Sequence, residues 1–318
     1  MKKYFILAAV ALTMAACSND ESANIANDGT IRLTTGVAGG TRTVDQTVQA
    51  TQIVNGGSVW VEFSTTAGTP DQGADASAVA GDGKWHTTNK NASALYTADG
   101  SGNLSSTSPT KWPMATPAAE TVSIEAWAPF TAKPTLGTDK FTVQADQSTE
   151  ANYAASDYLY GTRAAFGNSA IASPVLVTFN HMLSKINVKV SNSDGSSVVG
   201  AKVTFGPTDM SLDGTIAANS SVSAANTTSG AITMATLDAA ATASCIIIPQ
   251  TINAGQDLFT ITLGSESYTC TTTASKTYDA SKVYTYNLSI SDGKTIVLNE
   301  QINDWTDAGA AESVIAKQ

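Results

Sequence analysis

The sequence predicts an all-β protein in two domains. Three observations carry the prediction. Apolar and polar residues alternate at period two in segment after segment, the pattern of half-buried strands. No amphipathic helix of convincing length interrupts them. Turn-forming Gly, Asn, Asp and Pro recur at short intervals, and only 14% of the 318 residues are charged, against about 25% in an ordinary globular chain. That length accommodates two domains of typical size. A net charge of −10 with only 17 basic side chains offers no footprint for nucleic acid. The acidity serves solubility.

The N-terminus reads as a targeting segment. Met1-Lys2-Lys3 is a short basic region, and Tyr4 to Leu12 is apolar but too short to span a bilayer. Met14-Ala15-Ala16-Cys17 then resembles a bacterial lipobox. The resemblance implies that residues 1–16 are a lipoprotein signal peptide, removed before Cys17, and that Cys17 is acylated. The plain alternative is a secretory signal followed by a chance cysteine. Residues 17–27 form a polar, flexible tether. Within it, Ser18-Asn19-Asp20-Glu21-Ser22 is similar to the signal that sends some Gram-negative lipoproteins to the outer face of the outer membrane. Several acyl chains on one residue anchor stably, where a single chain binds only marginally.

The first domain runs over 28–184. Ile31, Leu33 and Val37 line one face of a first strand, with Arg32 and Thr34 opposite, until the Gly-rich stretch Ala38 to Arg42 breaks it. Val59, Val61 and Phe63 line another strand, with Trp60 and Glu62 opposite. Residues 64–84 read as a long loop, or as strands too weak to see. Val122, Ile124 and Ala126 mark a strand that Pro129 stops. Phe141 to Asp146 is short and extended, and Ser156 to Tyr160 is rich in aromatics. Val175, Val177 and Phe179 form the last strand.

The five residues His181 to Lys185 are too few for an independent helix and suit one helical turn. With Met182 and Leu183, this corner is too apolar for a loose linker, so it should hold the two domains in a fixed, elongated arrangement. The second domain, 185–318, opens on Ile186, Val188 and Val190. Val203 and Phe205 suggest a strand, and Asp213-Gly214 a hairpin turn. Cys245 to Pro249 is a solid apolar run, a strand buried on both faces. Phe259, Ile261 and Leu263 alternate with polar neighbours, as do Tyr284, Tyr286, Leu288 and Ile290. Ile296 to Leu298 follows, and Ile302 with Trp305 closes the core. About seven strands in ~130 residues fit a sandwich of two packed sheets.

Little in the chain suits catalysis, and an enzyme is not expected. Of the two histidines, His86 sits in a loop and His181 at the corner, where it reads as a packed residue. Their spacing gives no zinc pattern. The Asp-Gly pairs at 28, 82, 99, 194, 213 and 292 lack the alternating carboxylates of a calcium loop and read as turns. No catalytic residue, metal ligand or cofactor is therefore assigned. Cys245 and Cys270 lie in strands of a chain bound for an oxidising compartment. They form either a structural disulfide or two separate buried thiols.

Taken in order, several short pieces resemble the fimbrillin family, the lipoprotein precursors of type V pilins and their Mfa-like relatives. They are the lipobox at Cys17, Thr41-Arg42-Thr43, Lys111-Trp112-Pro113, Ile124-Glu125-Ala126-Trp127-Ala128-Pro129 and Asp157-Tyr158-Leu159-Tyr160. Phe179-Asn180-His181, Leu183-Ser184-Lys185-Ile186, Ile247-Ile248-Pro249-Gln250-Thr251, Tyr284-Thr285-Tyr286 and Ile302-Asn303-Asp304-Trp305 complete the set. The resemblance implies two tandem transthyretin-like β-sandwich domains behind the signal peptide. It implies a surface-exposed outer-membrane lipoprotein that becomes part of a fimbrium. It also implies a mechanism, in which a trypsin-like protease cuts after an arginine near the first strand. The strand leaves, and a strand from another subunit fills the groove. The matching arginines are Arg42, in an accessible Gly/Thr-rich loop, and Arg32, inside the strand. Either can equally be a solvated surface residue. The donor would come from about Ala308 to Gln318, where Val314 and Ile315 are the only apolar pair.

The expected function is therefore a structural and adhesive fimbrial subunit, whose partners are other subunits in a homo- or hetero-polymer, the outer membrane through the lipid anchor, and a host or bacterial surface ligand. The competing reading is a non-polymerising surface lipoprotein that binds glycans or host proteins. It rests on Trp60, Trp85 and Trp127, placed on outer faces or loops as a sugar-stacking platform.

Overall fold

The computed structural model describes residues 29–38, 41–42, 49–50, 52–66, 69–70, 73–113, 121–167, 174–196, 198–237, 241–290 and 296–305. Among them the architecture is all-β, with one helix, Glu150–Ala155. That helix is six residues long, too short to leave a periodic signature in the sequence. Thr149 caps it by accepting the Asn152 amide, and Tyr153 anchors its buried side.

Seven strands of the first half form one sheet that closes on itself. Their order is Leu33–Val37, Val175–His181, Leu159–Gly167, Thr121–Ala128, Ser58–Thr65, Asn91–Ala98 and Asn103–Ser105, returning to Leu33–Val37. Alternation builds it: in Val175–His181 every second residue faces inward and is buried. The core holds Val59, Val61, Phe63, Ile124, Val177 and Phe179. Gly161 lies opposite Phe179, whose ring passes so near that a Cβ at 161 would sit 2.8 Å from it. In the 64–84 stretch, Ser58–Thr65 runs on to Thr65, and a two-residue strand, Ala74–Asp75, pairs with Trp85–His86.

The second half holds two four-stranded sheets. One orders Thr242–Ile247, Ser184–Asn192, Lys282–Ile290 and Ile296–Asp304; the other Ile232–Thr233, Lys202–Phe205, Asp257–Leu263 and Glu266–Thr271. Ile186, Val188 and Val190 share a core with Val203, Phe205, Phe259 and Ile261. The apolar run at 245–248 is fully buried, as both-face burial requires.

Two local expectations fail. No helical turn forms at the corner, because Val175–His181 and Ser184–Asn192 leave only Met182 and Leu183 between them. The chain instead bends at Leu183, with Met182 N–H donating to the Tyr158 carbonyl and Ser281 N–H to the Leu183 carbonyl. Asp213-Gly214 is not a turn either; both residues belong to the strand Asp213–Ile216. Glycine is needed at 214 for close packing. A Cβ there would meet Val222 at 2.3 Å and Ile248 at 2.9 Å.

The halves interlock. Lys140–Thr142 pairs with Asp213–Ile216, and Phe141, Val143, Tyr153 and Tyr158 pack into the second-half core. Gln147 is buried and both accepts from the Ile246 amide and donates to its carbonyl, at 2.8 and 2.7 Å. Trp60 and Trp127, cross-strand partners on the outside of the closed sheet, also belong to that core. The Trp127 indole N–H donates to Ser220 Oγ at 3.3 Å.

Candidate functional site

The first strand is the site to which the sequence points, and its seat can be built residue by residue. Leu33–Val37 runs parallel to Val175–His181, from Leu33 opposite Val175 to Val37 opposite Phe179. On its other edge it runs antiparallel to Asn103–Ser105. Ile31, Leu33, Thr35 and Val37 face inward and are buried. Thr35 is the polar member, its hydroxyl reaching Gln52 Oε1 at 3.2 Å and the Gly102 carbonyl at 3.5 Å. Backbone bonds extend beyond the strand: Ile31 N–H donates to the Thr110 carbonyl, and Ala38 N–H to that of Phe179.

Burying Ile31, Leu33 and Val37 contributes about 1.5–3 kcal/mol each. Net stabilities of domains are about 5–15 kcal/mol. Together the three side chains are therefore comparable to the lower part of a domain's margin. Taking the strand away would also strip the hydrogen-bond partners from two flanking strands. A sheet so depleted has a strong thermodynamic demand for a replacement strand.

The two arginines occupy different settings. Arg32 directly precedes the strand; its carbonyl accepts the Val175 amide and its side chain is half-buried. Arg42 was expected in an open loop. It is the last residue of a two-residue strand, Thr41–Arg42, which pairs antiparallel with Gln49–Ala50. Two paired residues suffice to draw it out of the loop. The bond on its C-terminal side leads directly into residues 43–48, which lie outside the described residues, as do Cys17 and the Ala308 to Gln318 segment with Val314 and Ile315.

The remaining assignments fall into place around structural roles. Trp60, Trp85 and Trp127 are buried, at 5%, 0% and 1% exposure, so the platform expected of them is not on the surface. Aromatic rings alternate into cores and interfaces more readily than a strand pattern alone reveals. Cys245 and Cys270 are both buried and both free thiols. They stand on strands of different sheets, Thr242–Ile247 and Glu266–Thr271. Burial pushes both thiols above their ordinary range. His86 Nδ1 accepts the amides of Thr88 and Asn89, which closes its turn.

His181 is buried at the corner. Its Nδ1 lies 2.8 Å from Asp157 Oδ1, and its ring stacks on Trp305 at 3.8 Å and 4°. Lys185 lies 5.5 Å from the Tyr153 ring and 5.7 Å from the Trp305 ring. Gln52 was not singled out by sequence reasoning, and Asp157 entered only as part of the piece Asp157-Tyr158-Leu159-Tyr160. Neither falls on an alternation pattern, and both act through partners distant along the chain.

A family model described as fimbrillin-like matches residues 41–305. No curated protein matches the chain. Among solved structures, a candidate cell adhesion protein from Bacteroides ovatus is 17% identical at a TM-score of 0.57, covering 87% of this chain and 97% of its own. One from Bacteroides uniformis is likewise 17% identical, at a TM-score of 0.55, covering 87% of this chain and 98% of its own. Both share the fold.

Proposed function

The chain belongs to the fimbrillin-like family, and we propose that it is a structural and adhesive fimbrial subunit, exported as a lipoprotein precursor and assembled by strand addition after trimming. A fimbrial role at the cell surface follows from the family. In the finer reading, Cys17 carries the lipid that holds the precursor to the outer membrane. Residues 28–184 and 185–318 act as tandem β-sandwich domains. A trypsin-like protease cuts after Arg42, and the Leu33–Val37 strand departs. A strand from another subunit takes its place, with adhesion to a surface ligand as the assembled filament's task.

The observation that carries this reading is the seat of the first strand. It supplies a groove of the right chemistry: inward apolar positions, one inward threonine, and a free row of backbone groups on either side once vacated. Arg42 ends the short paired segment that follows the strand. A cut there would release the strand together with its tether.

The N-terminal residue of the protein purified from surface filaments tests the reading. A subunit beginning at Thr43 supports trimming; one beginning at Cys17 indicates an anchor or stand-alone lipoprotein. In parallel, an Arg42→Ala chain should stay monomeric at the surface. Normal filaments from that variant would count heavily against strand exchange.

A further inference from the structure

The outer face of the closed sheet carries a groove that the strand-exchange reading does not use. Ser58–Thr65 and Thr121–Ala128 form its floor, with Asn91–Ala98 on one side and Leu159–Gly167 on the other. It encloses about 540 Å³, within the range of about 300–1,000 Å³ typical of small-ligand sites. A second groove of about 360 Å³ adjoins it and shares Glu62, Asn91 and Lys133. Together they form an extended trough.

Two features of this face run against what a plain outer surface needs. Glu62 lies directly opposite Glu125 on the neighbouring strand, and like charges so placed destabilise a sheet. An aromatic donor orients each of them. The Trp60 indole N–H donates to Glu62 and the Tyr160 hydroxyl to Glu125, both at 2.7 Å. The second feature is a β-bulge. Alternation along Leu159–Gly167 would turn Arg163 into the core, opposite the buried Ile124. The register slips between Arg163 and Phe166, and Arg163 instead lies exposed and lines the groove. It forms no ion pair among the described residues.

The described lining holds two carboxylates, Glu62 and Glu125, and two cations, Lys133 and Arg163. Their charges cancel, so an ionic ligand gains no net attraction there. What the lining offers is acceptors and donors side by side. The carboxylates accept, Lys133 and Arg163 donate, and Ser64, Asn91, Ser123 and Thr162 do both. An added peptide strand finds no free backbone edge, because Ser58–Thr65 is paired on both sides. A neutral ligand rich in hydroxyls, each able to donate and to accept, matches this lining.

We propose that the groove binds a neutral oligosaccharide, whose hydroxyls donate to Glu62 and Glu125 and accept from Asn91, Lys133 and Arg163. The inference gives the adhesive part of the proposed function its ligand class and rests on that part, not on strand exchange.

The test uses the purified full chain with oligosaccharides of glucose, galactose, mannose and N-acetylglucosamine, and with galacturonic acid oligosaccharides as the charged control. At least one neutral oligosaccharide should bind. The Trp60 indole N–H resonance, assigned with Trp60→Phe, should move as it does. Glu125→Gln and Arg163→Ala should each weaken binding about tenfold; both residues are exposed, so neither change threatens the fold. The proposal is overturned by no neutral binding at millimolar concentration, by tighter binding of galacturonate, by an unmoved Trp60 resonance or by full affinity in both variants. A dimer that Glu125→Gln dissociates would place a second copy over the groove, and also overturns it. Filaments that adhere equally well with Glu125→Gln fail this groove and leave adhesion standing. A chain that binds the oligosaccharide yet never enters filaments fails the filament reading and supports the groove.

Discussion

Asp213 shows how much a single residue can hide from sequence reading. An Asp-Gly pair signals a turn, because both residues tolerate unusual backbone angles. Here the pair lies within a strand because its neighbours demand it. Val222 and Ile248 crowd residue 214, and the carboxylate is buried among donors. Burial alone would raise its pKa. The Thr227 hydroxyl, the Thr228 and Thr227 amides and the Lys140 ammonium outweigh it and hold the carboxyl at about 2. The folded-state value lies below the ordinary 3.8. The stabilisation is therefore present above about pH 4 and lost as pH falls toward 2. An Asp213→Asn chain should be less stable than the wild type at neutral pH. The gap, read as urea midpoints, should close between pH 4 and pH 2, whereas a constant gap would mean that the carboxylate's charge is immaterial. None of these donors was visible from the sequence, since they stand 14 and more positions away.

At the scale of elements, alternation was legible wherever a strand buries one face. Ile31, Leu33 and Val37, Val175 to Phe179 and Ile186 to Val190 all lie where period two puts them. Elements made by tertiary contact were not. Glu150–Ala155 depends on a cap and one buried tyrosine, and Lys140–Thr142 on a partner in the other half of the chain. The first strand was legible as a strand, but its parallel pairing with Val175–His181, some 140 positions on, was not. That pairing yields a test of the groove. A chain lacking residues 29–42 should expose apolar surface and bind a hydrophobic dye. A synthetic peptide of residues 29–38 should restore its fold. The same peptide with Leu33→Asp should fail, because a carboxylate at a position 2% exposed costs several kcal/mol unless paired. If both peptides rescue equally, inward side chains do not select the occupant.

The whole molecule is held by more than its two-residue corner. Trp60, Trp127 and Tyr160 sit on neighbouring strands of the closed sheet, each aromatic opposite the next. The two indoles pack with the second-half core, and Tyr160 lies against it. Lys133 lies 5.4 Å from the Trp127 ring and pairs with Glu62 at 3.4 Å, but that pair is exposed and weak. The aromatic surface therefore couples the halves more than that ion pair does, beside the Lys140–Thr142 pairing and the Gln147 bonds. The competing sequence reading gave the outward tryptophans to ligand binding because alternation tells which side of a sheet a residue faces, not what covers that side. Two domains joined only by a short link commonly move independently. Halves that share a buried aromatic seam should instead unfold together, as one calorimetric transition. Trp127→Ala should cost about 3–5 kcal/mol and, because the loss falls on the seam, split that transition into two. A variant that merely lowers a single transition would show that Lys140–Thr142 and Gln147 suffice to couple the halves. Such coupling is what a filament subunit needs if load entering at one end is to leave at the other without opening the joint.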